Sequence, residues 1–369
     1  MMRRERSAIA ATAIAGIACV FAWHAAPGAL LAAYLAAWWC WIGILLGGLA
    51  NVWLHNLTGG EWGVTIRAPL LANAQGMWLA ALLFLPIAFG IRALYPWVAD
   101  ADAGLARWHH ALSTPGFKNA WLAPGFFLLR SAVYLIVWCV LARLSVRPAF
   151  VRARLFSAFA LIAYGFTVSL AAVDWIMSLM PLWYSSVFGL LLGTAQMLAG
   201  MALAILFAIR RGAPPPILRD LGNLLLMYVM TWAYLAFMQF LIIWAENLPH
   251  EISWYLVRVQ NDWMGLAWAL TLLLFCLPQL LLLSRRAKES PIVLGALAAG
   301  LLLMSLFDAW WLILPSVAAP AHGWLWLAPL PAIAIGGAAW LLYRRVSSRR
   351  ADAIAAIDKP EARAGERHV

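Results

Sequence analysis

The chain predicts an all-α fold, a polytopic transmembrane helix bundle, on three observations. Hydrophobic residues make up 65% of its 369 positions and charged residues only 11%. It contains 23 Trp, more than the core of a soluble domain needs but suited to a bilayer-embedded bundle. Apolar runs long enough to cross a hydrocarbon core, which takes roughly 20 helical residues, recur along the whole length.

In order, the predicted spans are 7–24, 29–53, 69–91, 122–142, 155–176, 182–209, 222–245, 262–284, 291–315 and 324–343. The first follows Arg3, Arg4 and Arg6, and a basic start before an apolar run also fits a signal peptide. This run ends in WHAAPG and a second run follows at once, so we read a retained helix. After the second span, HNLTGGEWG brings Gly59 and Gly60, which permit the backbone angles of a tight turn. Pro86, Pro278, Pro329 and Pro331 fall inside predicted spans and predict kinks there, which membrane helices tolerate when neighbours satisfy the freed carbonyl. The only long connection runs from Arg92 to Trp121 and holds Asp100, Asp102, Arg107, His109, His110 and Lys118, too short for a separate domain. Residues 1–346 form the transmembrane domain, and 347–369 a mobile basic tail. Its Arg349 and Arg350, with Arg344 and Arg345, would lie at an anionic inner lipid surface.

Basic residues set the orientation. With ten spans and both termini cytoplasmic, all but five of the 26 Lys and Arg fall on the inner side. The exceptions are Arg92, Arg107, Lys118, Arg130 and Arg258. The high pI therefore expresses topology, with the chain in a bacterial inner membrane and in contact with lipids, and no nucleic acid is implied.

Cysteine and histidine usage excludes whole classes of chemistry. Cys19, Cys40, Cys139 and Cys276 each lie alone within a predicted span, and no CxxC or CxxCH occurs, so no ligand set for Fe–S clusters, covalent haem or a zinc knuckle is visible. His24, His109, His110, His250 and His322 fall at the outer side, and His55 and His368 at the inner side. With none at mid-membrane, we expect no haem or iron on this chain; a redox metal would belong to a partner.

An ionisable group inside a membrane is expensive and is usually kept for a reason. Asp174 closes the fifth span, Glu246 closes the seventh, Asp308 lies near the outer end of the ninth, and Arg130 lies about two turns into the fourth. These four are expected to face the bundle and pair, with Arg130 joined to Asp174 or Glu246. Such a pair either fixes helix register or offers a carboxylate that binds a quinol hydroxyl and passes its proton outward. In the seventh span Tyr228, Gln239 and Glu246 share one helical face, with Thr231 to one side and Tyr234 about 120° round. That stripe either lines a wet path or hydrogen-bonds neighbouring helices. The following loop sets His250, Glu251 and Arg258 beside Trp254 and Tyr255, as an interfacial belt, a docking surface or a quinone mouth.

Four motifs in order, HNLTGGEWG, FFLLRSAVY, DWIMSLMPLWYSSVFG and TWAYLAFMQFLIIWAENLPHEISWYLVR, resemble the ActF-type polytopic membrane subunit of alternative complex III. That complex is a bacterial quinol:cytochrome c or oxidase oxidoreductase, and the likeness runs from about residue 30 to 315. It implies a subunit related to the NrfD-like quinone-binding subunits: a pair of four-helix bundles plus peripheral helices, carrying no cofactor of its own beyond access to quinone or quinol. The implied partners are Fe–S and c-type haem subunits, an NrfD-like sister subunit and a terminal oxidase; the implied role is quinone access or proton translocation. Asp174, Trp175, Ser178, Pro181, Trp183, Tyr184, Ser185 and Gly189 match the family pattern. Met180 and Leu182 stand where it has an acid and a His, and Pro249, His250, Glu251 where it has PEE, which implies a divergent branch. The alternative is a stand-alone secondary transporter or proton channel, which predicts mid-depth breaks and ionisable groups. For a membrane enzyme acting on lipid or an isoprenoid, no catalytic His/Asp motif is present at a membrane face.

Overall fold

The computed structural model describes residues 2–98, 120–180, 182–259, 263–317 and 326–344. Helices occupy most of this length: α1 (Met2–Ala25), α2 (Pro27–Thr58), α3 (Glu61–Ala74), α4 (Met77–Leu82), α5 (Leu85–Phe89), α6 (Ile91–Leu94), α7 (Pro124–Leu144) and α8 (Arg154–Trp175). There follow α9 (Phe188–Arg210), α10 (Pro215–Glu246), α11 (Pro249–Val259), α12 (Trp263–Leu270), α13 (Leu277–Leu283), α14 (Arg285–Glu289), α15 (Pro291–Val317) and α16 (Pro329–Leu342). Among the described residues nine helical stretches are long and apolar enough to cross a membrane, counting α3 to α5 as one and α12 to α13 as one. The apolar α16 is shorter. This is the architecture of a multi-pass, all-α membrane protein.

The outer surface agrees. Large apolar side chains such as Phe21, Phe89, Phe159, Phe166, Leu190 and Ile292 stand exposed, an arrangement that is costly in water and cheap in lipid. Inside, α2 is the central helix, packed most heavily on α9 and α15 and also on α8, α3 and α16, while α1 and α16 lie together at the periphery. The tightest contact is where α2 crosses α9. A Cβ on Gly47 would run into the backbone of Gln196, and one on Gly200 into the backbone of Gly47, so only glycine lets these helices approach so closely.

Several limits differ from the expected spans. The second helix continues to Thr58, where Gly59 (φ 76°) and Gly60 (φ 100°) reverse the chain. The third crossing starts at Glu61, eight residues earlier than 69, and is broken at Gln75–Gly76 and at Leu83–Phe84. The sixth begins at Phe188, not 182, because LWYSS forms a turn, and the seventh begins at Pro215, not 222. The prolines act mainly as initiators. Pro27, Pro86, Pro124, Pro215, Pro278 and Pro329 stand in the first two positions of their helices, where a missing N–H costs nothing. Pro278 lies two residues past a π-helical segment, Thr271–Cys276, which absorbs the interruption within the eighth crossing. The connection holding Asp100, Asp102, Arg107, His109, His110 and Lys118 lies outside the described residues, as do His322 and the tail after Arg344.

Candidate functional site

The strongest polar constellation joins α7 to α8. Asp174 is fully buried at the end of α8 and faces Arg130 of α7. Arg130 Nε donates to Oδ2 at 2.9 Å and Nη2 to Oδ1 at 2.8 Å, a two-pronged contact. Tyr134 Oη donates to Oδ2 at 2.9 Å and Trp121 Nε1 to Oδ1 at 2.8 Å. The guanidinium also lies 3.9 Å from the Trp121 ring centre and 4.4 Å from that of Phe126, so its flat faces meet π systems. Beside it, Trp175 donates from Nε1 to Ser131 Oγ at 2.9 Å and packs against Trp38, Phe84, Tyr134 and Trp138. Four donors fill the two oxygens of Asp174, and no lone pair is left aimed at a substrate.

A second constellation follows the turn after Asp174. Trp183 stacks on Trp254 of α11 at 4.1 Å and 15°, and the Arg258 guanidinium lies 3.3 Å from the Trp254 ring centre. Arg258 is fully buried, and no carboxylate pairs with it among the described residues. It donates to the carbonyls of Trp311 (3.0 Å), Leu312 (2.7 Å) and Trp254 (2.7 Å) and to Ser316 Oγ (2.9 Å), and its last donor faces Met180 Sδ at 4.0 Å. The reason lies in α15: Pro315 has no N–H to return to the Trp311 carbonyl one turn earlier. Arg258 supplies that bond and fastens α11 across the end of α15. Burial pulls its pKa well below the usual guanidinium range, opposed by neighbouring Tyr255; filled donors offset that cost.

Between these elements runs a groove of about 240 Å³, lined by Tyr184, Ser185, Gln239, Ile243, Glu246 and Glu251 among others. Gln239 is buried; its Oε1 accepts from Ser185 Oγ at 3.0 Å and its amide points to Tyr255 Oη at 3.5 Å. Glu251 is buried with His250 Nε2 at 3.9 Å. Glu246 does not pair with Arg130. It is the last residue of α10, closed by Asn247 in the left-handed conformation (φ 51°), and there its charge is solvated. Tyr234, about 120° round α10 from Tyr228, is 59% exposed, and Thr231 is exposed with it.

Asp308 forms the third site, and it differs in kind. It is 7% exposed in α15 and no hydrogen bond or ion pair to its carboxylate occurs among the described residues. It borders a cavity of about 30 Å³, with Trp39, Cys40, Gly43, Gln196 and Ser305 around it, room for a water or two. The buried Gln196 Nε2 has no hydrogen-bond partner among the described residues, while its Oε1 takes a bond from Tyr164 Oη at 3.2 Å. Farther along α2, Asn51 donates to the carbonyls of Gly47 and Met197 and accepts from Tyr228 Oη at 2.8 Å. One turn on, His55 and Asn56 both meet Arg67 Nη2, at 2.8 and 3.1 Å, and His55 Nε2 reaches the Gly60 carbonyl at 2.7 Å. Both imidazole nitrogens are thus engaged. Polar groups recur along α2 from the level of Gly43 to His55, about 18 Å of helix, ending where the Gly59–Gly60 turn and the basic helix ends lie.

Asp174, Arg130, Gln239, Glu251, Tyr228 and Arg258 are therefore all buried at element contacts, Asp308 borders a cavity, and Glu246 and Tyr234 are exposed. Sequence reasoning missed Trp121, Tyr134, Asn51, Tyr164, Gln196 and the Arg67–His55 pair. A polar residue inside an apolar run was the available signal, and Asn51 and Gln196 both carry it. No protein-family model matches the chain, and neither does any curated protein.

Proposed function

We propose that this chain is a membrane subunit of a quinol-oxidising respiratory complex of the alternative complex III type, holding no redox metal itself. On this reading the basic end and both termini face the bacterial cytoplasm, and Fe–S, c-type haem and NrfD-like subunits dock on the chain. Its share of the work is a fixed proton route along α2, with quinol reaching the groove beside Gln239 and Glu251.

One observation carries the reading: among the described residues Asp308 is a buried carboxyl with no cation paired to it, at the head of a file of polar side chains ending at His55 and Arg67. A relay needs such a group, because a proton carrier must change charge in a dry site. The resemblance adds support, since FFLLRSAVY contributes Arg130 to Asp174 of DWIMSLMPLWYSSVFG, while Trp183 of that motif stacks on Trp254 of the next.

The test is gentle solubilisation of the tagged chain followed by assay of what comes with it. Fe–S and c-haem subunits are expected, with quinol-driven electron transfer that falls roughly a hundredfold in Asp308→Asn while the assembly stays intact. A chain that emerges alone and monomeric removes the respiratory reading, and a wild-type rate in the intact variant removes the relay.

A further inference from the structure

A cavity of about 720 Å³ opens between the break in the third crossing and the end of α7, away from the file of polar groups on α2. Its volume falls within the range of about 300–1,000 Å³ typical of small-molecule sites. Two kinds of lining meet in it: the exposed Arg143 and Arg147, and the apolar Met77, Trp78, Val140 and Val146. Gln75 braces the back, its amide donating to the Ala142 carbonyl at 3.2 Å. Neither arginine pairs with a carboxylate among the described residues, no lining residue is acidic, and residues 119–173 contain no Asp or Glu at all.

Depth follows from helix length. The 21 residues of α7 span about 31 Å, close to the hydrocarbon thickness of about 30 Å. Its Arg143 end therefore lies at headgroup level, with Val140 one turn inside.

We propose that this cavity holds the phosphate of an anionic phospholipid. Arg143 and Arg147 bind the phosphate oxygens, and Val140, Met77 and the half-exposed Trp78 ring pack on the glycerol and upper acyl chain. The chemistry it selects is a phosphate monoanion, and the apolar wall favours the lipid over a free ion, which would leave that wall bare.

The full chain is reconstituted in phosphatidylcholine nanodiscs with and without phosphatidylglycerol, and bound lipid and thermal unfolding are read by native mass spectrometry and melting. Phosphatidylglycerol is expected to stay bound and raise the melting temperature, and inorganic phosphate to do neither. Arg143→Gln with Arg147→Gln should lower retention about fivefold per guanidinium, whereas Arg285→Gln with Arg286→Gln at the same end should not. If the double variant does not fold, Val146→Glu, which sets a carboxylate beside both arginines, should cause the same loss. Equal retention of phosphatidylcholine, undiminished retention in the variants, equal loss in the Arg285 and Arg286 control, or the same stabilisation by phosphate alone would each overturn the proposal.

Discussion

Asp174 and Asp308 are the same side chain at nearly the same burial, yet their surroundings are opposite. Asp174 accepts four hydrogen bonds from Arg130, Tyr134 and Trp121. Asp308 accepts none among the described residues and faces a small cavity. Burial alone therefore does not mark a working acid in a membrane. What decides is whether donors already occupy it: a saturated carboxylate ties helices together, and an unsaturated one can still exchange a proton.

The largest blow to this contrast would come at Arg130. Arg130→Met leaves Asp174 buried beside neutral donors only and should cost about 3–5 kcal/mol, read by thermal or denaturant unfolding. Arg130→Met with Asp174→Leu should recover most of that loss; a single variant as stable as wild type would erase the distinction. Next in size is Arg258→Lys, at about 1–3 kcal/mol, because three ammonium donors cannot reproduce the guanidinium's reach to three carbonyls and a hydroxyl. Asp308→Asn should shift stability by less than about 1 kcal/mol, since no partner is lost; a larger destabilisation would put Asp308 with Asp174.

The smallest effect is at the surface. Hydrogen bonding from Arg285, with added attraction from Arg285 and Arg219, holds the Glu289 carboxyl below its usual range. A depressed acid stabilises the fold above its unfolded pKa, and the gain disappears as pH falls through the folded value. The stability difference between wild type and Glu289→Gln should therefore be slight at neutral pH and vanish below about pH 4.

Much of this was legible in the sequence. Apolar runs define the crossings because a membrane leaves little choice of element, and Asp174 with Arg130 is the pair that lone charges in neighbouring spans suggest. Glu246 was misjudged because helical phase assigns a face but not a depth, and only the turn at Asn247 sets that charge in solvent. Arg258 reads in sequence as a loop charge. Its burial follows from a carbonyl released by Pro315, 57 residues away along the chain and visible only once α11 folds over α15.

The glycine contact between α2 and α9 has a mechanical consequence. Gly47 and Gly200 let two backbones touch, one from α2 and one from α9, and a joint without side chains has no lubricating layer to slide on. Shifting α2 against α9 would tear main chain from main chain along with the Asn51 bond that crosses to Met197. On the proposed reading a proton crosses a clamped body, hopping between stationary groups as along the rungs of a bolted frame.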